Sequence, residues 1–143
     1  MNRFVLDAFV TLCWCFEDQA TSFTEAILDL LAEGKQAIVP FIWPFEISNA
    51  LLSGERRKLV STAQVTGIVE ELKSWTIEVD RHGVDRAFRE ILSVARAFRL
   101  TTYEAAYLEL AMREALPLAT LDKDLSKAAR KAGIPSLDVA KPK

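Results

Sequence analysis

Short apolar runs, each about the length of a buried strand and each followed by a longer helical pattern, constrain this chain more than any other feature. Phe4-Val5-Leu6, Gln36-Ala37-Ile38-Val39, Trp75-Thr76-Ile77-Glu78-Val79 and Pro117-Leu118-Ala119-Thr120-Leu121 read as strands. Helical spacing covers 8–18, then 22–33 up to Gly34, and a segment from Pro44 to about Leu52 with proline in its first turn. It resumes over 62–73, 84–98, 102–115 and 123–132, the last ending at Gly133. Ser136-Leu137-Asp138-Val139 is a candidate final strand. Strands separated by helices need right-handed crossovers, so the expected fold is α/β, three-layered α/β/α with a mainly parallel central sheet. No repeat, low-complexity stretch or linker divides the chain, which predicts a single domain over 1–143 with a basic tail at about 139–143.

Composition then removes whole classes of chemistry. A chain of 143 residues can bury a core without disulfides or structural metals. Eighteen basic residues against 20 acidic ones give a net charge of −2, which excludes a strongly basic nucleic-acid coat but not a local basic patch. Two cysteines, Cys13 and Cys15, and one histidine, His82, build neither a disulfide framework nor a zinc site with paired ligands. Any Ser-His or Cys-His mechanism would rest on His82, and Arg81-His82-Gly83 reads as an exposed turn. The five glycines are isolated, so no phosphate-cradling loop exists for an NTPase or a dinucleotide enzyme. No stretch reaches the ~18 apolar residues of a membrane span. Asp7 interrupts the apolar start, and Trp14-Cys15-Phe16-Glu17 stands where a leader would be cleaved, so a cytoplasmic protein is expected.

In an open parallel sheet, sites form beyond the carboxyl ends of the strands. Four acids have expected places there. Asp7 follows the first strand and Asp122 the Leu118–Leu121 run, while Glu46 and Glu104 lie in the first turns of their helices. Asp7 and Asp122 are equally suited to capping the helices they precede, as is Asp124. Thr101-Thr102-Tyr103-Glu104 matches a capping box, a second role for Glu104. At about 100° per residue, Glu109 and Arg113 fall opposite Glu104 as an i, i+4 pair, predicting that they take the wet face and that Glu104 points inward. Glu46 shares a stripe with Asn49, Ala50 and Ser53 between Phe45 and Leu52 on one side and Ile47 and Leu51 on the other. Such a stripe is expected to form one wall of a site.

Half-buried carboxylates brought together need either protons or a cation. Oxygen donors without His or Cys suit Mg²⁺ or Mn²⁺, and a metal-bound water can attack a phosphodiester. Charge distribution agrees with a phosphate substrate. Residues 1–34 carry one basic residue against six acids, a balance of −5, whereas 123–143 carry six basic residues against two acids, a balance of +4. Lys123, Lys127 and Arg130 begin that basic segment beside Asp122 and are candidates for holding phosphates, although a plain solvated face has the same pattern. Arg56-Arg57-Lys58 follows the Glu46 helix. Receiver-like and phosphatase-like domains also carry acids at strand ends, but residue 9 is Phe, which breaks their Asp-x-Asp pattern.

Four blocks in this order resemble the PIN-domain ribonucleases of the VapC toxin type, over nearly the whole chain. They are Val5-Leu6-Asp7-Ala8, Pro44-Phe45-Glu46-Ile47-Ser48-Asn49-Ala50-Leu51-Leu52, Leu100-Thr101-Thr102-Tyr103-Glu104-Ala105-Ala106-Tyr107-Leu108-Glu109-Leu110-Ala111 and Pro117-Leu118-Ala119-Thr120-Leu121-Asp122-Lys123-Asp124-Leu125. The resemblance implies a PIN-like fold and a metal-dependent endoribonuclease, the toxin of a toxin–antitoxin pair. It further implies a homodimer, structured RNA such as transfer or ribosomal RNA as substrate, and silencing by a small VapB-like antitoxin. Asp7, Glu46, Glu104 and Asp122 match the family's acidic quartet, expected to hold Mg²⁺ or Mn²⁺. Thr120 matches a hydroxyl residue before the fourth acid, Asn49 a residue near the second, and Asp124 an auxiliary acid. Two positions depart from the pattern. Glu104 stands where the family has Asp, and Phe9 stands where a small hydroxyl residue is common and is expected to narrow the pocket beside Asp7. A PIN-fold protein that binds RNA or an antitoxin with weak or no cleavage is the alternative these departures imply.

Overall fold

The computed structural model describes residues 2–135 and Leu137; the candidate strand at 136–139 and the basic tail fall almost wholly outside that range. Strand β1 (Arg3–Leu6) lies inside a four-stranded sheet with β2 (Gln36–Val39), β3 (Ile77–Val79) and β4 (Leu118–Ala119), in the order β3-β2-β1-β4. Every pairing is parallel; Phe4 sits opposite Ala37, Ala37 opposite Ile77, and Leu6 opposite Ala119. Phe4, Val5 and Leu6 are all fully buried. Since successive side chains leave a strand on opposite faces, burial of all three means both faces of the sheet are covered. The expected three-layer α/β/α architecture is the one observed.

Helices α1 (Ala8–Cys15), α2 (Ser22–Ala32), α3 (Trp43–Arg56) and α4 (Thr62–Ser74) fill the first half of the chain. The segment expected as one helix over 84–98 is three pieces: α5 (Gly83–Arg86), a π-helical turn (Ala87–Ile91) and α6 (Leu92–Phe98). Helices α7 (Thr102–Glu114) and α8 (Lys123–Lys131) follow. Thr21, Ser61 and Thr101 each close a capping box at a helix start, leaving fewer orphan amides there. Gly34 (φ 96) and Gly133 (φ 77) reverse the chain after α2 and α8 in a conformation that a Cβ disfavours.

One continuous core joins the strands to α1, α2, α3, α7 and α8 through side chains such as Val10, Ile27, Leu51, Leu108, Leu110 and Leu125. α7 is packed so deeply that residues 105–111 are all buried. β4 is shorter than the 117–121 run suggests. Ladder bonds from Val5 N–H to Pro117 O (2.9 Å) and Asp7 N–H to Ala119 O (3.0 Å) end it, after which Thr120 turns to Asp7 and Leu121 faces solvent.

Candidate active site

The last ladder bond brings Asp7 to the carboxyl edge of the sheet. Its carboxylate is 5% exposed, accepts the Phe9 amide (3.4 Å) as the N-cap of α1, and accepts the Thr120 hydroxyl on its other oxygen (2.6 Å). The capping role and a place in the cluster are therefore held by one side chain. Burial pushes the Asp7 carboxyl above its usual range; the Thr120 and amide bonds oppose this, and the charge of Asp122 adds to it. Thr120 also accepts the Asp122 amide (3.0 Å), so one hydroxyl ties the two acids together. Asp122 caps α8 through its Oδ1, which accepts the amides of Asp124 (2.9 Å) and Leu125 (3.1 Å). Asp124 itself is exposed in the first turn of α8.

Glu46 reaches the same edge from the first turn of α3, behind Pro44. Its Oε1 accepts the hydroxyl of Tyr107 at 2.6 Å, and burial raises its carboxyl, with the charge of Asp7 contributing. Tyr107 is the functional neighbour that sequence reasoning misses, since it stands in the α7 block with no role assigned to its hydroxyl. It is 2% exposed, and its hydroxyl also accepts the Ala8 amide at 3.3 Å, bridging Glu46 to the start of α1. Burial and the Glu46 carboxylate hold the phenol well above its usual range, which keeps it a donor. The available signal was its place one turn beyond Glu104 on a buried face, where a phenol hydroxyl needs a partner.

Glu104 behaves differently from the other three acids. Its Oε1 accepts the Thr101 amide (2.9 Å) while Thr101 Oγ1 accepts the Glu104 amide (3.1 Å), so its carboxylate completes the capping box of α7. The expectation that Glu109 and Arg113 take the wet face is overturned. Glu109 is 4% exposed and is held by Arg86 (2.9 Å) and Arg113 (3.0 Å), and Arg113 forks onto buried Asp80 at 2.8 and 3.1 Å. Burial alone would raise Asp80, but Arg113 and the amides of His82 and Gly83 bring its carboxyl below the usual range. Helical angle places Glu109 opposite Glu104; what covers that side is set by α5 and the turn after β3, which the helix itself does not encode.

The remaining candidates spread outward. Asn49 and Ser53 are exposed on α3, and Phe45 and Leu52 are 76% and 41% exposed, so the stripe bearing Glu46 borders solvent on one side. Phe9 is 66% exposed, and its amide donates to Asp7 Oδ1 at 3.4 Å. Lys123, Lys127 and Arg130 are exposed along α8, Arg130 donating to Ser126 Oγ at 3.3 Å. His82 is exposed, as its turn suggested. Burial pushes the Cys15 thiol up to about 11, unlike an activated nucleophile.

Asp7, Glu46 and Asp122 thus supply hard oxygen donors to one edge, in the chemistry that Mg²⁺ or Mn²⁺ favours. A cation there would relieve the burial and mutual repulsion that raise Asp7 and Glu46, so the donor set fits a divalent ion. As the side chains stand, no three His, Cys, Asp or Glu residues among the described residues converge on a single ion position.

No family model matches the chain. Ribonuclease VapC3 of Pyrobaculum aerophilum is 28% identical to it over 83 residues, which is 58% of this chain and 63% of that protein. The match therefore spans less than two thirds of its relative. The crystal structure of PAE2754 from Pyrobaculum aerophilum has the same fold, with a TM-score of 0.69 at 21% identity over 88% of this chain and 84% of that one. The chain thus resembles Ribonuclease VapC3 in sequence, and its three-layer α/β fold with a parallel sheet is PIN-like.

Proposed function

We propose that the protein is a divalent-metal-dependent endoribonuclease that hydrolyses RNA phosphodiester bonds and acts as the toxin of a toxin–antitoxin pair. The observation that carries this reading is the carboxyl edge of the sheet, where Glu46 bonds Tyr107, Thr120 ties Asp7 to Asp122, and the charge of Asp7 bears on Glu46 and that of Asp122 on Asp7. Asp7, Glu46 and Asp122 would hold Mg²⁺ or Mn²⁺, with Glu104 as a fourth ligand once its carboxylate leaves the Thr101 amide. When bound, the metal supplies an activated water and neutralises charge on the phosphate. The chain's own residues do the rest. Thr120 and the Phe9 amide each hold one oxygen of Asp7 and so orient its carboxylate, and Tyr107 holds one oxygen of Glu46 so that the other can accept a proton or orient water. Lys123, Lys127 and Arg130 supply positive charge beside Asp122 for the RNA backbone. Transfer or ribosomal RNA, a homodimer and a VapB-like antitoxin complete the proposal as the family resemblance implies, and a cytoplasmic location goes with them. No helix among the described residues is long and apolar enough to cross a membrane.

A second reading is favoured by Glu104 itself. With its carboxylate committed to the cap of α7, the site has three acids, which suits a PIN-fold protein that binds RNA or an antitoxin and cleaves weakly. One experiment separates the two. Purified protein is incubated with total RNA in Mg²⁺, Mn²⁺ or EDTA beside Asp7→Asn and Glu104→Asp. Discrete fragments that need metal and vanish in Asp7→Asn are expected. Absence of cleavage by folded wild type, with cleavage restored by Glu104→Asp, would transfer the conclusion to the binding protein.

A further inference from the structure

We propose that the groove between the end of α6 and the outward face of α8 is a track for the backbone of single-stranded RNA entering or leaving the acidic edge. The groove encloses about 420 Å³ and carries Arg99 from α6 on one wall and Lys127 and Lys131 from α8 on the other. All three are exposed, and none forms an ion pair with another described residue. Lys127 and Lys131 stand one helical turn apart on the face that α8 leaves outward when it buries Leu125, Ala128 and Ala129. Three cations against one acid, Asp124, give the groove a positive balance in a chain whose net charge is −2.

Position connects the groove to the site. Asp124 lines it, and the Asp124 amide donates to Asp122 Oδ1 at 2.9 Å, so one end of the groove is the rim of the acidic edge. A phosphate cut at that edge has neighbouring phosphates, and an acidic centre repels them unless cations stand close by. Phe98 and Ala128 form part of an apolar floor on which sugar and base faces can lie, while the Arg99 guanidinium can pair with phosphate or stack on a base. An acidic peptide would satisfy the charges but would gain nothing from a groove that runs into carboxylates. Arg99 and Lys131 were not among the basic residues singled out from the sequence; folding assembles them with Lys127, whereas Lys123 and Arg130 do not line this groove. Arg99 holds a left-handed backbone (φ 55) after α6, a position where glycine is the usual residue.

The inference rests on the nuclease reading, and its test can fail separately from that reading. Binding of a single-stranded RNA of roughly ten nucleotides is measured by fluorescence anisotropy in EDTA across a salt series. Wild type is compared with the triple variant Arg99→Ala/Lys127→Ala/Lys131→Ala and with Lys73→Ala, an exposed lysine on α4. The triple variant is expected to lose at least about tenfold in affinity. Its slope of log K against log salt should fall by about 2, since each phosphate contact on a single strand contributes roughly 0.7. Lys73→Ala should match wild type. Equal affinity and slope in wild type and triple variant overturn the track, as does competition by polyglutamate as effective as that by RNA, which would assign the groove to an acidic protein. Groove-dependent binding without metal-dependent cleavage keeps the track and removes the nuclease. Cleavage without groove-dependent affinity does the reverse.

Discussion

Two hydroxyls hold two of the acids of this protein in place, Tyr107 on Glu46 and Thr120 on Asp7, and each pair makes a separable prediction. Tyr107 donates to Glu46 and accepts the Ala8 amide from a position 2% exposed, so Tyr107→Phe keeps the packing and strands both partners. Loss of about 1–2 kcal/mol in urea unfolding is expected, together with a fall in the rate of RNA cleavage at unchanged RNA affinity. Asp7 makes the opposite trade. Its carboxyl is raised in the folded chain, so ionising it costs the fold more than it costs the unfolded chain. Stability is therefore lost as pH rises from the unfolded carboxylate range through the folded value. Asp7→Asn keeps an acceptor for the Phe9 amide and offers Thr120 Oγ1 an Nδ2 donor in place of the second carboxylate oxygen; it should abolish cleavage and melt higher at neutral pH. That gain should disappear in melts run below the ordinary carboxylate range, where Asp7 is protonated in both states.

Between elements, the strongest polar tie is the cluster of Asp80, Arg113, Glu109 and Arg86, which fastens the turn after β3 and helix α5 to α7. Its two acids are buried, so removing one cation leaves uncompensated charge rather than a vacant surface pair. Arg113→Met is expected to cost about 3–5 kcal/mol in chemical denaturation, far more than a surface substitution. Because α7 carries Tyr107 and Glu104, the same variant should also slow cleavage. Helices were largely legible in the sequence: the Thr101 box and Pro44 mark two starts and Gly34 and Gly133 two ends, while the boxes of Thr21 and Ser61 emerged from the structure. The 84–98 segment was not so legible. Its apolar spacing continues through residues 87–91, but the backbone there widens into a π-helical turn, which is read from hydrogen bonds and not from side-chain type.

The full architecture brings acids from distant parts of the chain to one edge. Asp7 follows β1, Glu46 lies in the helix after β2, and Asp122 follows β4; parallel pairing alone puts those three strand ends on the same side of the sheet. A cation held at that edge would bind the folded chain and not the unfolded one. Millimolar Mg²⁺ or Mn²⁺ should therefore raise the melting temperature of wild type, and EDTA should reverse the rise. Asp7→Asn should show no metal-dependent rise, in a calorimetric scan that needs no RNA.

Strand–helix alternation, helix caps and the four acidic blocks determined the fold class and the PIN-like resemblance before any coordinates. Periodicity and capping chemistry are local, written within a dozen residues of one another, and the order of the blocks is read directly along the chain. Partnership was decided only by tertiary structure. Glu109 found Arg86, Asp80 found Arg113, Tyr107 found Glu46, and Arg99 came to face Lys127 and Lys131. A buried polar atom takes the nearest satisfying group, and which group is nearest depends on how helices pack across a sheet, a choice made over sequence separations such as the 61 residues between Glu46 and Tyr107.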